Sequence, residues 1–273
     1  MKLEGLLGPP CEPNCVHEIR TTNWLITWTE GGIDYESDPR HVQILLREFN
    51  LSESGSGVSA PGVNERPDAV EIPDEGLPVE DRTAYRSSCV RVAYLAQDRP
   101  DLGIVTRDLA KGIQVPMVRH QAQLKRVVRF LKQRPRLVQQ FVNQQSAMRL
   151  TGWSDADHAG CLRTRKSTTG SLIMIGSHTI CHWCRGQAVI ALSSGEAEYY
   201  SFVTLMSELC GLKALAWDWN LNYKTEANID ATAAIGILSR RGLGRVKHID
   251  TVFLWVQERV DTKKNEYPHN TLI

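Results

Sequence analysis

Apolar positions along the chain change their period repeatedly, and each change marks a different kind of element. Near the start, "NWLITWTEGGIDY" sets Trp24 and Trp28 around the apolar pair Leu25 and Ile26, a β-like stretch. "DPRHVQILLREF" then spaces Val42, Ile44, Leu45 and Phe49 as helical positions, with Pro39 in the first turn. Residues 51–82 are Ser/Gly-rich, then Pro-rich and acidic, and lack any period; they read as a surface linker. Next comes a helical block over 83–134. "YRSSCVRVAYLAQ" breaks at Arg99-Pro100, "DLGIVTRDLAKGI" follows, and Pro116 opens "PMVRHQAQLKRVVRFLK" with Leu124, Val128 and Leu131 along one face. The other face of that third helix carries Lys125, Arg129 and Lys132. It is either a solvated charged face or a phosphate-contacting one.

From about residue 147 the pattern turns to strands. "AMRLTGWSDAD" reads as one strand and "GSLIMIGSHTICHW" as two across a turn at Gly176-Ser177, with "AVIALS" as a shorter third apolar run. A long helix, "SSGEAEYYSFVTLMSELCGLKALAWDW", precedes a strand, "TEANID", a helix, "ATAAIGILSRRG", and an amphipathic segment, "KHIDTVFLWVQERV". Strands first, then helix, strand and helix, imply an α/β (α+β) fold: a mixed sheet with helices packed on it.

Certain acids sit badly in that plan. The long helix has Ser193 or Ser194 as N-cap and an apolar stripe of Phe202, Leu205, Leu209, Leu212 and Ala216. One turn back, the stripe lands on Glu198, which therefore faces the sheet and needs a cation or hydrogen-bonding partner. Glu196 is about 200° around the helix from it and reads as an ordinary first-turn acid favoured by the helix dipole. Asp230 ends a short strand, as either a ligand or the N-cap of the next helix. Asp155 and Asp157 share a strand face with Trp153, and alternation alone does not choose between them. Clustered carboxylates are stable as anions only around cations. Oxygen-only ligands suit Mg²⁺ or Mn²⁺, and two such ions about 4 Å apart are the usual machinery for cutting a phosphodiester.

Composition narrows the setting. The 273 residues are 42% hydrophobic and 23% charged, with net charge +1, so a nucleic-acid partner must be held by local patches. No stretch reaches the ~18 apolar residues of a membrane span, and no signal-peptide pattern opens the chain. Seven cysteines, an odd count, fit free thiols in a reducing compartment. The expectation is an intracellular protein, cytoplasmic or nuclear, without a membrane partner. "CHWC" (Cys181, Cys184) and "CEPNC" (Cys11, Cys15) have zinc-like spacing, but residues i and i+3 of a strand point to opposite faces, so no zinc is expected. Trp183, Trp217, Trp219 and Trp255 are expected to fill a core or a domain junction. His158 and His248 are candidate proton-transfer groups, and Lys247-His248 is a basic pair able to touch phosphate.

"GWSDADHAG", "TRKSTTGSLIMIG", "SSGEAEYYSF", "IDATAAIGI" and "VKHID" occur in the order seen in the ribonuclease H domain of Copia-type retrotransposon Pol polyproteins. Upstream, "IDYESDPRHVQILL", "VSAPG", "YRSSCVRVAYLAQDRPDLGIV" and "HQAQLKRVVRFLK" resemble the end of the reverse transcriptase and its connection. The resemblance covers residues 20 to 260. It implies a ribonuclease H-like five-stranded mixed sheet with flanking helices over 147–262, a helical connection over 83–140, a reverse-transcriptase remnant over 1–50 and a tail over 263–273. It also implies hydrolysis of the RNA strand of RNA–DNA hybrids with two Mg²⁺ (or Mn²⁺) ions. By motif match the catalytic metal ligands are Asp155, Glu198 and Asp230, with the neighbouring Asp157 as a further candidate metal ligand. Arg165, Lys166, Ser167 and Thr168 are expected near the hybrid backbone, and Lys125, Arg129, Lys247 and His248 are further nucleic-acid contacts. Other partners would be the rest of a Pol polyprotein.

Two departures stand out. The family's fourth acid, in a short Ala-Asp pattern after the last strand, is missing; Asp261 falls too early and in the wrong context. No polymerase Asp-Asp motif precedes residue 83, so this chain is not a polymerase on its own. The alternative expectation is therefore a catalytically impaired remnant that only binds nucleic acid or a partner subunit.

Overall fold

Alternating residues of the first apolar stretch form a hairpin, β4 (Trp24–Thr29) with β5 (Gly32–Ser37), whose turn Gly32 closes at φ 149°. The computed structural model describes residues 6–7, 15–51, 56–62, 75–144, 149–161, 163–242, 244 and 248–266, in two units, 1–143 and 144–273. In the first unit a two-residue parallel pair, β1 (Leu6–Leu7) and β2 (Cys15–Val16), precedes an antiparallel sheet. Its order is β3 (Glu18–Arg20), β4, β5 and β6 (Gln139–Val142). Four helices accompany it: α1 (Arg40–Glu48), α2 (Val79–Ala96), α3 (Gly103–Lys111) and α4 (Val118–Gln133). They bury Leu45, Val92, Leu95, Leu124, Val128 and Leu131 together. Buried Asp98 joins sheet to helices, accepting hydrogen bonds from Trp24 Nε1 (2.9 Å), Tyr35 Oη (2.7 Å) and Ser37 Oγ (3.3 Å).

Sequence reasoning missed β6, a four-residue strand beyond the helical block that completes the first sheet by pairing with β5. Where the 51–82 stretch is described, residues 56–62 are exposed or half-buried. Gly62 and Ser56 main-chain oxygens accept from Arg126 and Arg129, Val58 packs on the helical core, and α2 begins at Val79.

The second unit contains β7 (Arg149–Asp157), β8 (Thr168–Ile175), β9 (His178–Gly186), α5 (Ser194–Asp218), β10 (Lys224–Asn228), α6 (Thr232–Leu238) and α7 (Trp255–Glu266). Strand order is β10-β7-β8-β9, with β10 parallel to β7 and the other pairs antiparallel, so the sheet is mixed. Among the described residues it has four strands where five were expected. After β10 the described chain is only helix and turn, and the polar run "DTKKNE" within α7 offers none of the apolar alternation a strand needs. The presumed tail likewise starts inside α7. "AVIALS" is a loop whose Val189, Ile190 and Leu192 are exposed.

Helix α5 packs its stripe on the sheet. Phe202, Leu205 and Leu209 share a core with Leu150, Ile173 and Ala227. The contact is close because β7 has Gly152 there: a Cβ at that position would lie 2.7 Å from Leu205 Cδ1. Trp183 is buried and Trp255 half-buried against this core, but Trp217 and Trp219 are 65% and 67% exposed at the end of α5, contrary to expectation. In the last turn of the helix only Ala216 is buried. Among the described residues no helix is long and apolar enough to cross a membrane.

Candidate metal centre

The register of β10 on β7 decides which acids meet. Asn228 lies beside Trp153 in parallel, so two residues further along each chain bring Asp230 beside Asp155. Asp230 does not cap α6, whose N-cap is Ala231 with no side-chain bond. Helix α5 supplies the third acid. Its N-cap Ser193 accepts from the Glu196 N–H, and two turns inside, Ser201 Oγ donates to the main-chain oxygen of Asp155 at 2.9 Å. Between them Glu198 is directed at the end of β7, where its Oε1 accepts the Ala156 N–H at 3.0 Å.

Asp155, Glu198 and Asp230 each offer a carboxylate oxygen, and these oxygens all lie within 4.8 Å of one another. Asp155 and Asp230 are exposed, whereas Glu198 is 8% exposed and its Oε2 is buried with no hydrogen-bond donor. Burial, reinforced by the neighbouring charges of Asp155 and Asp230 and opposed by the Ala156 N–H, pushes the Glu198 carboxyl up to about 7. An orphaned buried oxygen facing two carboxylates is the donor set of a hard divalent cation, so these residues fit Mg²⁺ or Mn²⁺.

Other sequence candidates fall elsewhere. Asp157 is outside the cluster; its carboxylate lies over Gly160, occupying the space a Cβ there would need. Exposed Arg165 sits in the β7–β8 loop at φ 56°, and half-buried Lys166 follows it. Ser167 and Thr168 are buried instead of facing solvent, Ser167 Oγ accepting the Ala159 N–H at 3.0 Å within the same loop. In the first unit Lys125 is exposed on α4, while Arg129 is engaged by Ser56 through its main-chain oxygen and Oγ. Lys247 lies outside the described residues. His158 Nε2 is 3.2 Å from the Ala191 main-chain oxygen. Strand β9 places Cys181 on the core side and Cys184 on the opposite face; Cys11 and the Cys15 side chain lie outside the described residues.

Glu196 is the functional-looking residue that helical geometry misjudged. It is in the first turn, as expected, but only 1% exposed. Its carboxylate accepts from Tyr200 Oη (2.9 Å), the Leu192 N–H (3.0 Å) and His248 Nε2 (2.7 Å). Burial alone would raise its carboxyl, but these hydrogen bonds, His248 foremost, hold it below the usual range. The stripe argument assumed one buried face, whereas the first turns of α5, residues 195–203, are buried all round.

No protein-family model matches the chain. It is 31% identical over 157 residues, 58% of its length, to the retrovirus-related Pol polyprotein from transposon RE1 of Arabidopsis thaliana. It is 26% identical over 234 residues, 82% of its length, to that from transposon TNT 1-94 of Nicotiana tabacum. The chain spans 10% and 17% of these relatives. Among solved structures, the foamy viral protease-reverse transcriptase dRH in complex with ds DNA aligns over 91% of this chain and 37% of its own, at 9% identity and a TM-score of 0.49.

Proposed function

This chain belongs to the Copia-type retrovirus-related Pol polyproteins, with a ribonuclease H-like second unit, and we propose that this unit hydrolyses the RNA strand of RNA–DNA hybrids. The observation that carries the reading is the 4.8 Å cluster of carboxylate oxygens from Asp155, Glu198 and Asp230, in which the buried Glu198 has one oxygen, Oε2, without a donor. Asp155, Glu198 and Asp230 would hold Mg²⁺ or Mn²⁺, two ions in the working form. Such ions, when bound, promote attack of water on a phosphodiester and stabilise the departing oxygen.

The chain's own residues supply position. The Ala156 N–H fixes Glu198 by one oxygen and leaves the other for ligation, and Ser201 ties α5 to the backbone of Asp155. Exposed Arg165, with Lys166 beside it, is suited to the backbone phosphates of the hybrid next to the cluster. Lys125 and Lys247 are further candidates for phosphate contact. The remaining Pol polyprotein is the proposed covalent or assembled partner.

Cleavage of a labelled RNA–DNA hybrid with Mg²⁺ or Mn²⁺ tests the reading, wild type against Asp155→Asn. Metal-dependent cleavage abolished by the substitution supports it. Cleavage that survives Asp155→Asn, or hybrid binding without cleavage at any metal concentration, overturns it.

A further inference from the structure

Residues on both sides of Glu198 hold on to the segment that follows α6. Glu196 accepts from His248 Nε2 at 2.7 Å, Tyr199 Oη donates to the Phe253 main-chain oxygen at 2.8 Å, and the Tyr200 and Phe253 rings meet at 4.8 Å. That segment is anchored in turn. Ile249, Val256 and Val260 are buried in the α5 core. Gln257 Nε2 donates to the main-chain oxygens of Ile237 and Gly242, and its Oε1 accepts the Gly242 N–H.

The His248 side chain is 44% exposed while Glu196 is buried, so this hydrogen bond closes the segment over the helix start from the solvent side. Glu196 also takes the Leu192 N–H, which joins the preceding loop to the same carboxylate. Without His248 a buried carboxylate oxygen loses a hydrogen-bonding partner, an unfavourable state that the first turn of α5 relieves by moving. Glu198 follows Glu196 by two residues, at the start of the next turn.

We propose that the His248–Glu196 pair is a latch by which residues 248–260 set the direction of Glu198, making His248 a positioning residue for the metal centre. The role rests on reading the three acids as metal ligands. It differs from phosphate contact, because the Nε2 of His248 is committed to Glu196.

Two measurements on the full chain decide it: backbone amide exchange over 192–200 without metal, and Mn²⁺ affinity by electron paramagnetic resonance titration. His248→Ala is expected to speed exchange there and weaken Mn²⁺ binding about tenfold, as loss of a residue supporting a ligand does. His248→Asn, which keeps an N–H donor, is expected to recover most of both. Affinity for a labelled hybrid, measured without divalent metal, should stay within about twofold, since no phosphate contact is removed. Unchanged exchange in folded His248→Ala, or hybrid affinity that falls while Mn²⁺ affinity holds, overturns the latch. Should His248→Ala not fold, Glu196→Gln keeps the shape, removes the charge and gives the same two readings. If wild type binds no Mn²⁺, the metal-centre reading fails, and exchange alone still decides whether the latch exists.

Discussion

Ser201 Oγ donates to the main-chain oxygen of Asp155 across 2.9 Å, so the helix carrying one acid is fastened to the backbone of another. Ser201 is fully buried, and its removal leaves that carbonyl to find another donor. Ser201→Ala should lower unfolding stability by about 1 kcal/mol and weaken Mn²⁺ binding several-fold. Urea denaturation and Mn²⁺ titration check both, and wild-type values in both would show the fastening to be idle.

Glu198 gives the metal-free protein a pH signature. Its folded-state pKa is raised to about 7 from 4.5, so the folded protein binds more protons than the unfolded one between those values. Stability therefore falls as pH rises from about 4.5 to about 7, by at most roughly 3 kcal/mol. Glu198→Gln should flatten that slope, and Mg²⁺ at pH 7.5 should offset the loss in wild type. Urea melts across this window in chelator test it; a stability that rises with pH in wild type and mutant alike contradicts the site.

The two aspartates of "SDAD" should separate by measurement. Asp155→Asn is expected to abolish Mn²⁺ binding, whereas Asp157→Asn, an exposed position outside the cluster, should leave it within about threefold. Equal losses would return Asp157 to the ligand set.

Gly152 sets how closely α5 approaches the sheet. A Cβ there meets Leu205 Cδ1 at 2.7 Å and Leu209 Cδ1 at 3.1 Å. Gly152→Ala should cost about 1–3 kcal/mol by overpacking and reduce Mn²⁺ affinity as α5 is pushed outward. Full stability in the variant would mean the helix has slack there.

Arg165 combines an exposed charge with a left-handed backbone, which lets the two be tested apart. Arg165→Gly suits that backbone, so folding stability should hold or rise slightly. Hybrid binding should weaken, with the slope of log affinity against log salt lower by about 1. An unchanged salt slope would remove Arg165 from the interface.

The stripe on α5 was enough to single out Glu198, because a helix against a sheet has one strictly apolar face and any acid on it is anomalous. The same logic failed for Glu196, since a second surface, residues 248–253, closes over the helix start and comes from 50 residues downstream. Asp155 and Asp157 were indistinguishable by alternation because β7 runs through both. What parts them is the register of β10 and the position of Gly160, neither of which local periodicity reports. Strand β6 was too short to register, and the exposed Trp217 and Trp219 lie at the end of α5, where only Ala216 is buried.

Strand β6 also has a consequence for synthesis. The sheet that begins at Glu18 is completed by residues 139–142, so when β5 leaves the ribosome its outer edge waits for about a hundred more residues. During that interval β5 is an unpaired edge, the kind of surface on which nascent chains associate wrongly. A proteolytic cut anywhere between α1 and β6, if the pieces parted, would return the hairpin to that exposed state.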